Sequence, residues 1–279
     1  MKNKHSVDLS LDYSVVEKIL VGFIVDCFQK TDARTAIIGL SGGLDSSIVS
    51  MLVVQALGKE RVLGIIMPYK TSAPENVADA ERFAQWLGIK TELTDITPMV
   101  DAYLDRHPDA DVNRRGNVMA RQRMIVLYDI SAHEQGLVIG TSNKSEMLLG
   151  YGTIFGDLAC AINPVGDLYK TQMRQLAEFL GIPEFIRTKT PTADLFQGQT
   201  DEEDLGFTYE EIDRLLFLWV DNRLSEEELA ERGFTPEFIK QVLGRVRRNN
   251  FKRLPPLIAK ISSRTIGHEF RYAWEWSFV

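Results

Sequence analysis

The stretch that most restricts the fold is "AIIGLSGGLDSSIVSML", residues 36–52. An apolar β-type run over 36–40 ends in Ser41-Gly42-Gly43, and a helical spacing of apolar residues begins directly afterwards. A strand, a glycine turn and a helix start bring backbone N–H groups and the positive end of a helix dipole to one point, which favours an anion there. The common phosphate loop adds a lysine for the terminal phosphates, whereas this loop carries Asp45. The stretch therefore predicts a βα unit with an anion site whose cation comes from elsewhere.

Strand-like and helix-like patterns alternate through the first half of the chain. The predicted strands are 35–40, 61–67, 90–96 and 137–141, and the predicted helices are 14–29, 46–57, 75–87 and 113–134. This alternation is typical of an α/β fold with a doubly wound parallel sheet that helices cover on both faces. Ligands of such sheets bind beyond the carboxyl ends of the strands. The site is therefore expected at 41–47, 67–74 and 141–146.

The second half of the chain has a helical pattern. Helices are predicted over 170–180, 208–224, 225–232 and 235–248. The acidic, glycine-containing stretch 194–207 fits a mobile lid over a nucleotide and equally fits a plain surface connection. We expect one domain over 1–279, with an α/β core over 14–195 and a lid loop and helical region over 196–279.

The charge balance restricts the classes of molecule that the chain is expected to bind. The chain has 32 basic and 39 acidic residues, a net charge of −7, and general nucleic-acid binders are usually basic. The basic cluster "RVRRNNFKR" (245–253) lacks the interleaved aromatic residues of a nucleic-acid surface. The sequence contains no apolar run of membrane-spanning length and no hydrophobic signal core. We expect no nucleic acid, no membrane and a cytoplasmic location.

The helix predicted at 14–29 has two apolar stripes. One is Val15, Ile19, Phe23 and Cys27, and the other is Val16, Leu20, Ile24 and Phe28. Cys27 lies on a stripe, so a buried thiol is expected, and Cys160 lies in an apolar patch with no histidine nearby in sequence. Two isolated cysteines predict neither a disulfide framework nor a four-cysteine zinc site.

The loop Ser41–Ser46 resembles the S-G-G-x-D-S loop of the N-type ATP pyrophosphatases, whose fold is Rossmann-like and adenine nucleotide alpha hydrolase-like. In those enzymes the loop cradles pyrophosphate, and its carboxylate holds Mg²⁺, which supplies positive charge between the phosphates. The resemblance thus explains Asp45 as the residue that recruits a cation. The structural alternative is a tight βα turn that ends in a serine or aspartate N-cap.

Five further stretches resemble the ammonia-dependent NAD⁺ synthetases. They are "GNVMARQRM" (116–124), "GTSNKSE" (140–146), "GDLYKTQ" (166–172), "PTADL" (191–195) and "FKRLPP" (251–256). The resemblance implies a homodimeric ligase that uses ATP to adenylate the nicotinate carboxylate of deamido-NAD. Free ammonia then displaces AMP, so the products are NAD⁺, AMP and pyrophosphate.

The resemblance also implies roles for individual residues. Asp45 and Glu146 would hold Mg²⁺ and, with Lys170, carry the catalysis. The ATP-binding residues would be Gly39, Leu40, Ser41, Gly42, Gly43, Leu44, Asp45, Ser46, Ser47, Thr141, Lys170 and Thr192. The residues that bind deamido-NAD would be Arg121, Asp157 and Lys252.

Residue patterns alone leave simpler roles open for these positions. Glu146 could be a charge at a helix N-terminus, Thr141 and Thr192 could be caps, and Lys170 and Arg121 could be solvated surface cations. Ile154, Ala161 and Phe251 replace residues with which many relatives contact deamido-NAD. Two other functions therefore stay open: a ligase of the same superfamily that adenylates another carboxylate, and an adenine-nucleotide-binding module without turnover.

Overall fold

The computed structural model describes residues 7–190 and 201–271. Its central sheet has four parallel strands in the order β3-β2-β1-β4. The strands are β1 (Thr35–Gly39), β2 (Val62–Ile66), β3 (Lys90–Leu93) and β4 (Gly136–Val138). In the register, Ala36 of β1 lies opposite Val62 of β2, and Thr35 lies opposite Gly136 of β4. The predicted parallel sheet is confirmed, although each strand is shorter than its predicted span.

Helices cover both faces of the sheet, which confirms the doubly wound architecture. The helices of the first half are α1 (Tyr13–Gln29), α2 (Leu44–Leu57), α3 (Pro74–Leu87), α4 (Thr97–Leu104), α5 (Val112–His133) and α6 (Lys144–Leu149). Ile38 and Ile66 point to the core under α1, α2 and α3, while Ile37 and Ile65 point to the core under α4 and α5. This division follows from the alternation of side chains along a strand.

The strand order creates a crevice at one end of the sheet. The chain runs outward from β1 to β2 and β3, then returns to place β4 on the other side of β1. Connections that leave neighbouring strands in opposite directions open a space beyond their carboxyl ends, where ligands bind. The segments that border this space are those after Gly39 and after Val138.

A helical layer follows the sheet. It contains α7 (Lys170–Phe179), α8 (Glu184–Arg187), α9 (Asp201–Leu205), α10 (Tyr209–Leu216), a π-helical turn (Phe217–Asp221), α11 (Glu226–Glu231) and α12 (Pro236–Arg248). Helices α10 and α12 share a core with Leu149 and Tyr169, so this layer packs on the chain segments that follow the sheet. The single helix predicted over 208–224 was wrong, because the π-helical turn interrupts it.

Three short helices, α4, α6 and α8, were missed by the sequence patterns. Helix α4 begins at Thr97-Pro98, and α6 has only six residues, too few for a periodic signal. Of the predicted lid segment 194–207, residues 194–200 lie outside the described residues. Residues 201–205 form α9, so that part is helical and is not a plain loop.

Helix α1 buries neither of its two predicted stripes along its whole length, because Val16 and Leu20 are only half-buried. Ile24, Cys27 and Phe28 are buried, which confirms Cys27 as a core thiol. Val15, Ile19 and Phe23 are 47%, 62% and 42% exposed and form an apolar face on the surface of the chain. Within residues 7–190 and 201–271, no helix combines the length and apolar character needed to cross a membrane.

Candidate active site

The phosphate loop joins β1 to α2 and is held in a compact turn. Helix α2 begins at Leu44 after Gly43 as its N-cap, so Asp45 and Ser46 belong to the first helical turn and the predicted start at residue 46 was too late. Gly42 has a φ of +72°, and a Cβ there would come within 2.4 Å of the Asn76 carbonyl oxygen. The close approach of α3 and the positive φ both require glycine.

The serines of the loop bond mainly within it. The hydroxyls of Ser46 and Ser47 donate to the Gly43 carbonyl oxygen at 3.1 and 2.8 Å. The Gly43 N–H donates to Ser41 Oγ at 3.2 Å. These bonds are those of a capped helix start, and they leave the dipole and free N–H groups of α2 directed out of the loop.

A cavity of about 580 Å³ lies beyond the carboxyl ends of β1 and β4. Its lining includes most of the predicted site residues: Gly39, Leu40, Ser41, Gly43, Leu44, Asp45, Ser46, Thr141, Glu146, Asp157, Lys170 and Lys252. Ser47 is buried behind the loop, and neither it nor Gly42 is part of the lining. Thr192 lies outside the described residues.

Arg121 does not reach the cavity lining in this structure. Its Nε and one terminal nitrogen both donate to the Ile154 carbonyl oxygen at 3.3 Å. The side chain thus supports the backbone of the turn after α6 rather than standing free on its helix. A direct contact of Arg121 with deamido-NAD stays a prediction.

Lys170 is the centre of the cavity's charge arrangement. Its Nζ donates to Asp45 Oδ2 at 2.5 Å and to Glu146 Oε1 at 3.1 Å. The residue is only 3% exposed, so the alternative of a solvated surface lysine was wrong. Burial by itself lowers the pKa of Lys170, but the Asp45 and Glu146 carboxylates outweigh burial and raise it. Lys170 is therefore a permanently charged ammonium at the phosphate loop.

Glu146 combines two roles that the sequence presented as alternatives. Its backbone N–H donates to the Asn143 side chain at 3.0 Å, and its Oε2 accepts the Asn143 N–H at 3.3 Å, which makes a capping box at the start of α6. Its other oxygen accepts from Lys170. Burial raises the pKa of Glu146, the Lys170 ammonium opposes this shift, and the Asp45 and Asp201 carboxylates add to it.

The two carboxylates fit a hard divalent cation such as Mg²⁺. Asp45 Oδ1 is buried and has no hydrogen-bond partner among the described residues, so it is an available oxygen ligand. Mg²⁺ prefers carboxylate and phosphate oxygens. The described residues contain no group of three or more acidic, histidine or cysteine side chains that could enclose a metal. A bound metal would therefore need further ligands from water or from a nucleotide's phosphates.

The far side of the cavity is formed by the turn after α6. Lys252 Nζ donates to the carbonyl oxygens of Gly150 and Gly152 at 2.7 and 2.8 Å. Asp157 accepts the Thr153 N–H at 2.8 Å, and burial raises the pKa of its carboxyl. Lys252, which belongs to the basic cluster 245–253, therefore holds the backbone of this turn by hydrogen bonds.

Several cavity residues were not predicted from the sequence. They are Arg123, Arg174, Arg187, Lys189, Asp201 and Arg245. Lys189 is separated from the "PTADL" motif by one threonine. Its Nζ lies 2.6 Å from Asp79 Oδ2 and 3.3 Å from the Gly42 carbonyl oxygen. That proximity to a recognised motif was a usable signal. Asp201 comes from a distant helix and has no local pattern that marks it. Arg245 is the first residue of the basic cluster 245–253, in which only Lys252 was assigned to the site.

The parallel sheet, the glycine-rich turn and its carboxylate beside a buried lysine define a nucleotide-binding α/β protein of the ATP pyrophosphatase type. The chain belongs to the NAD synthase family, whose model matches residues 15–256. An NH(3)-dependent NAD(+) synthetase of Chlorobium phaeobacteroides is 51% identical over 275 residues, which are 99% of this chain and 99% of that protein.

Solved structures show the same likeness. The NH3-dependent NAD synthetase of Campylobacter jejuni, solved in complex with the nitrate ion, is 36% identical with a TM-score of 0.78, and the match covers 90% of this chain and 100% of that one. An NMN synthetase of Francisella tularensis is 30% identical with a TM-score of 0.79, over 90% of this chain and 99% of that one.

Proposed function

We propose that the protein is an ammonia-dependent NAD⁺ synthetase that amidates deamido-NAD at the expense of ATP. The observation that carries this proposal is the contact of Lys170 with both Asp45 and Glu146 at the phosphate loop. The same cavity extends to Asp157 and Lys252, so one space can hold ATP and a second substrate. The 51% identity to an NH(3)-dependent NAD(+) synthetase over nearly the whole chain supports the assignment.

The reaction needs two successive substitutions, the first at the α-phosphorus of ATP and the second at the acyl carbon of the nicotinate. The nicotinate carboxylate attacks the α-phosphorus of ATP, a C–O–P bond forms, and the bond to the β-phosphate oxygen breaks to release pyrophosphate. Ammonia then attacks the acyl carbon, the amide bond forms, and AMP leaves while one proton is lost to solvent. A carboxylate is a poor electrophile and its acyl-adenylate is a good one, so the ATP step makes the amidation possible.

In this scheme the protein positions the reactants and neutralises charge, without a protein nucleophile. The loop N–H groups and the α2 dipole hold the departing pyrophosphate. Lys170 moves its ammonium from the carboxylates toward the phosphates. Mg²⁺ bound by Asp45 and Glu146 would supply further positive charge between the phosphates. Thr141, Thr192 and the other predicted ATP residues would complete the nucleotide site.

Free ammonia fits as the nitrogen source. A glutamine-hydrolysing site needs an activated cysteine thiolate. Cys27 is buried in the core, and burial raises the pKa of the Cys160 thiol, so neither cysteine is activated.

The assembly and organisation of the chain are part of the proposal. The apolar face of Val15, Ile19 and Phe23 on α1, together with the exposed Ile125 and Tyr128 on α5, supports a homodimer, because apolar patches of this kind mark interaction sites. The packing of α10 and α12 on α6 supports a single domain. The cytoplasmic location stays a prediction from the two isolated cysteines.

The decisive assay measures pyrophosphate release and amide formation with each of ATP, deamido-NAD and ammonium left out in turn. We expect turnover only when all three are present. Nicotinate mononucleotide in place of deamido-NAD tests the alternative that the NMN synthetase likeness suggests. Turnover with another carboxylate alone would favour the second ligase hypothesis, and ATP binding without any turnover would favour a nucleotide-binding module.

A further inference from the structure

Asp213 on α10 is a fully buried carboxylate that the reaction does not use directly. Its Oδ1 accepts the Ser145 hydroxyl at 2.5 Å, and its Oδ2 accepts the Thr171 N–H at 2.9 Å. Ser145 Oγ in turn accepts the Lys170 N–H at 2.9 Å. One aspartate from the C-terminal layer thus connects the starts of α6 and α7.

These helix starts carry the catalytic pair. Glu146 directly follows Ser145 on α6, and Lys170 is the first residue of α7. The first N–H groups of a helix lack partners within it and need an acceptor from elsewhere. The N-cap residue of α7, Tyr169, offers no side-chain cap. Ser145 and Asp213 therefore cap α7 from two other helices.

Asp221 makes a second connection of the same kind. Its Oδ1 accepts from Lys144 Nζ at 2.8 Å and its Oδ2 accepts the Tyr169 hydroxyl at 2.6 Å. Lys144 and Tyr169 directly precede Ser145 and Lys170 in the chain. In a continuous α-helix, eight residues would place Asp221 about 80° away from Asp213 around the axis. The π-helical turn winds less per residue and brings both aspartates toward α6 and α7, which gives this turn a purpose.

We propose that Asp213 is a positioning residue that sets the distance between Lys170 and Glu146, with Asp221 as its outer support. The inference rests on the proposed function, because it assigns Lys170 and Glu146 to the reaction. Reacting groups must be held within a fraction of an ångström, and a displacement of about 1 Å can cost on the order of a hundredfold in rate. Asp213 fixes both helix starts through a rigid bidentate contact.

A purely stabilising role is the competing explanation. An ionised carboxylate is an expensive group to bury, and apolar residues of similar volume often give equal or greater stability. Burial raises the pKa of Asp213 to about 6, although the Ser145 and Thr171 hydrogen bonds oppose the shift. A carboxylate kept at such a position fits a geometric task better than a contribution to stability.

The test compares Ser145→Ala and Asp213→Ala with a control on the same helix, Glu211→Ala. Glu211 forms the capping box of α10 with Thr208 and contacts neither α6 nor α7 in the described structure. We expect kcat to fall about tenfold to a hundredfold in Ser145→Ala and Asp213→Ala, with both KM values within about twofold. Glu211→Ala should lower Tm and leave kcat unchanged. In Asp213→Asn the amide oxygen can still accept the Thr171 N–H, and the NH₂ can donate to Ser145 Oγ if the serine hydroxyl turns away, so this variant should recover most of the lost kcat.

Hydrogen exchange separates this inference from the proposed function. Faster amide exchange is expected over 144–149 and 170–173 in Ser145→Ala and Asp213→Ala, and not in Glu211→Ala. If the wild-type protein shows no turnover, the proposed function fails. The amide exchange rates over 144–149 and 170–173 in the variants then test whether Asp213 positions the two helix starts. Folded Ser145→Ala with wild-type kcat and exchange overturns the proposal, as does an equal loss of kcat in Glu211→Ala. If Asp213→Ala does not fold, Ser145→Ala carries the test.

Discussion

Replacing Lys170 by methionine should convert a site that excludes free Mg²⁺ into one that binds it. In the structure the Lys170 ammonium lies 2.5 Å from Asp45 Oδ2 and 3.1 Å from Glu146 Oε1. It therefore acts as the counter-ion of the two proposed metal ligands. Mg²⁺ alone would have to displace the Lys170 ammonium and would gain no phosphate ligands. When ATP is present, its phosphates can attract Lys170 away from the carboxylates and also serve as ligands of the metal.

The expected loss of stability follows from the burial of the ion pairs. Lys170 is 3% exposed, and removal of one partner from a buried pair costs about 3–5 kcal/mol. At about 2–4 °C per kcal/mol for a chain of more than 150 residues, Tm should fall by about 6–20 °C. Mg²⁺ at ten times its Kd should return about 1.4 kcal/mol, or about 3–6 °C.

The assay is differential scanning fluorimetry without ATP, with MgCl₂ against NaCl of equal ionic strength. It is run above pH 8, because burial raises the pKa of Glu146 to about 8 and a protonated carboxyl does not bind the metal. Lys70→Met is the matched control, because Lys70 also pairs with an aspartate, Asp101, but is about half exposed. The control should change Tm little and show no Mg²⁺ response.

Two results would refute this reasoning. The first is a Lys170→Met protein whose Tm does not rise with Mg²⁺, since its carboxylates would then not form a metal site. The second is a wild-type protein that Mg²⁺ alone stabilises as much as the variant, since Lys170 would then not exclude the metal.

Three further predictions follow from the site and the surface. Asp45→Asn should lower pyrophosphate release at least about a hundredfold, because it weakens both the metal site and the pair with Lys170, and near-normal release would remove Asp45 from the metal site. Lys252→Ala should raise the KM for deamido-NAD about tenfold to a hundredfold and the KM for ATP less than about twofold, since Lys252 holds the carbonyls of Gly150 and Gly152. Equal changes in both KM values would contradict this placement. Ile19→Asp should give a monomer by light scattering at micromolar concentration, where the wild type is expected to be a dimer, and a wild-type monomer would exclude α1 as the interface.

The parts of the fold that local pattern controls could be predicted. Apolar runs predicted β1, β2 and β4, and the alternation with helices predicted the polar edge strand β3. Strand ends in a parallel sheet converge at one edge, so Asp45 and Glu146 were expected near each other. The capping box at Asn143 also had a local signal, because Asn143 is followed three residues later by Glu146. The sequence analysis did not use that signal to predict α6, and the signal cannot tell that the second oxygen of Glu146 faces Lys170.

The rest depends on packing between distant segments, which no local pattern encodes. Lys170 has the sequence context of a surface lysine, and its burial comes from α6 and α10, which approach from both sides. The bonds of Asp213 join residues 42 and 68 positions away in the chain. On α1, the periodicity identified two apolar stripes without indicating that Val15, Ile19 and Phe23 stay exposed, because exposure depends on which neighbour covers each stripe.

The charge distribution explains how a chain with a net charge of −7 can bind two substrates rich in phosphate. Among the described residues, seven basic side chains line the cavity: Arg123, Lys170, Arg174, Arg187, Lys189, Arg245 and Lys252. Five acidic ones line it: Asp45, Glu146, Asp157, Asp201 and Asp204. The cavity is therefore net positive inside an acidic chain, and a low-dielectric cleft concentrates the field of such a cluster. Because the acids lie among the cations, the cations at the phosphate loop are paired: Lys170 with Asp45, and Lys189 with Asp79, which is not part of the lining. In the proposed function, phosphates that enter would replace carboxylates as the partners of these cations, and Asp45 and Glu146 would then be available to a metal. This exchange of partners would make nucleotide and Mg²⁺ binding mutually dependent, which would explain why the phosphate loop carries an aspartate where a lysine is common.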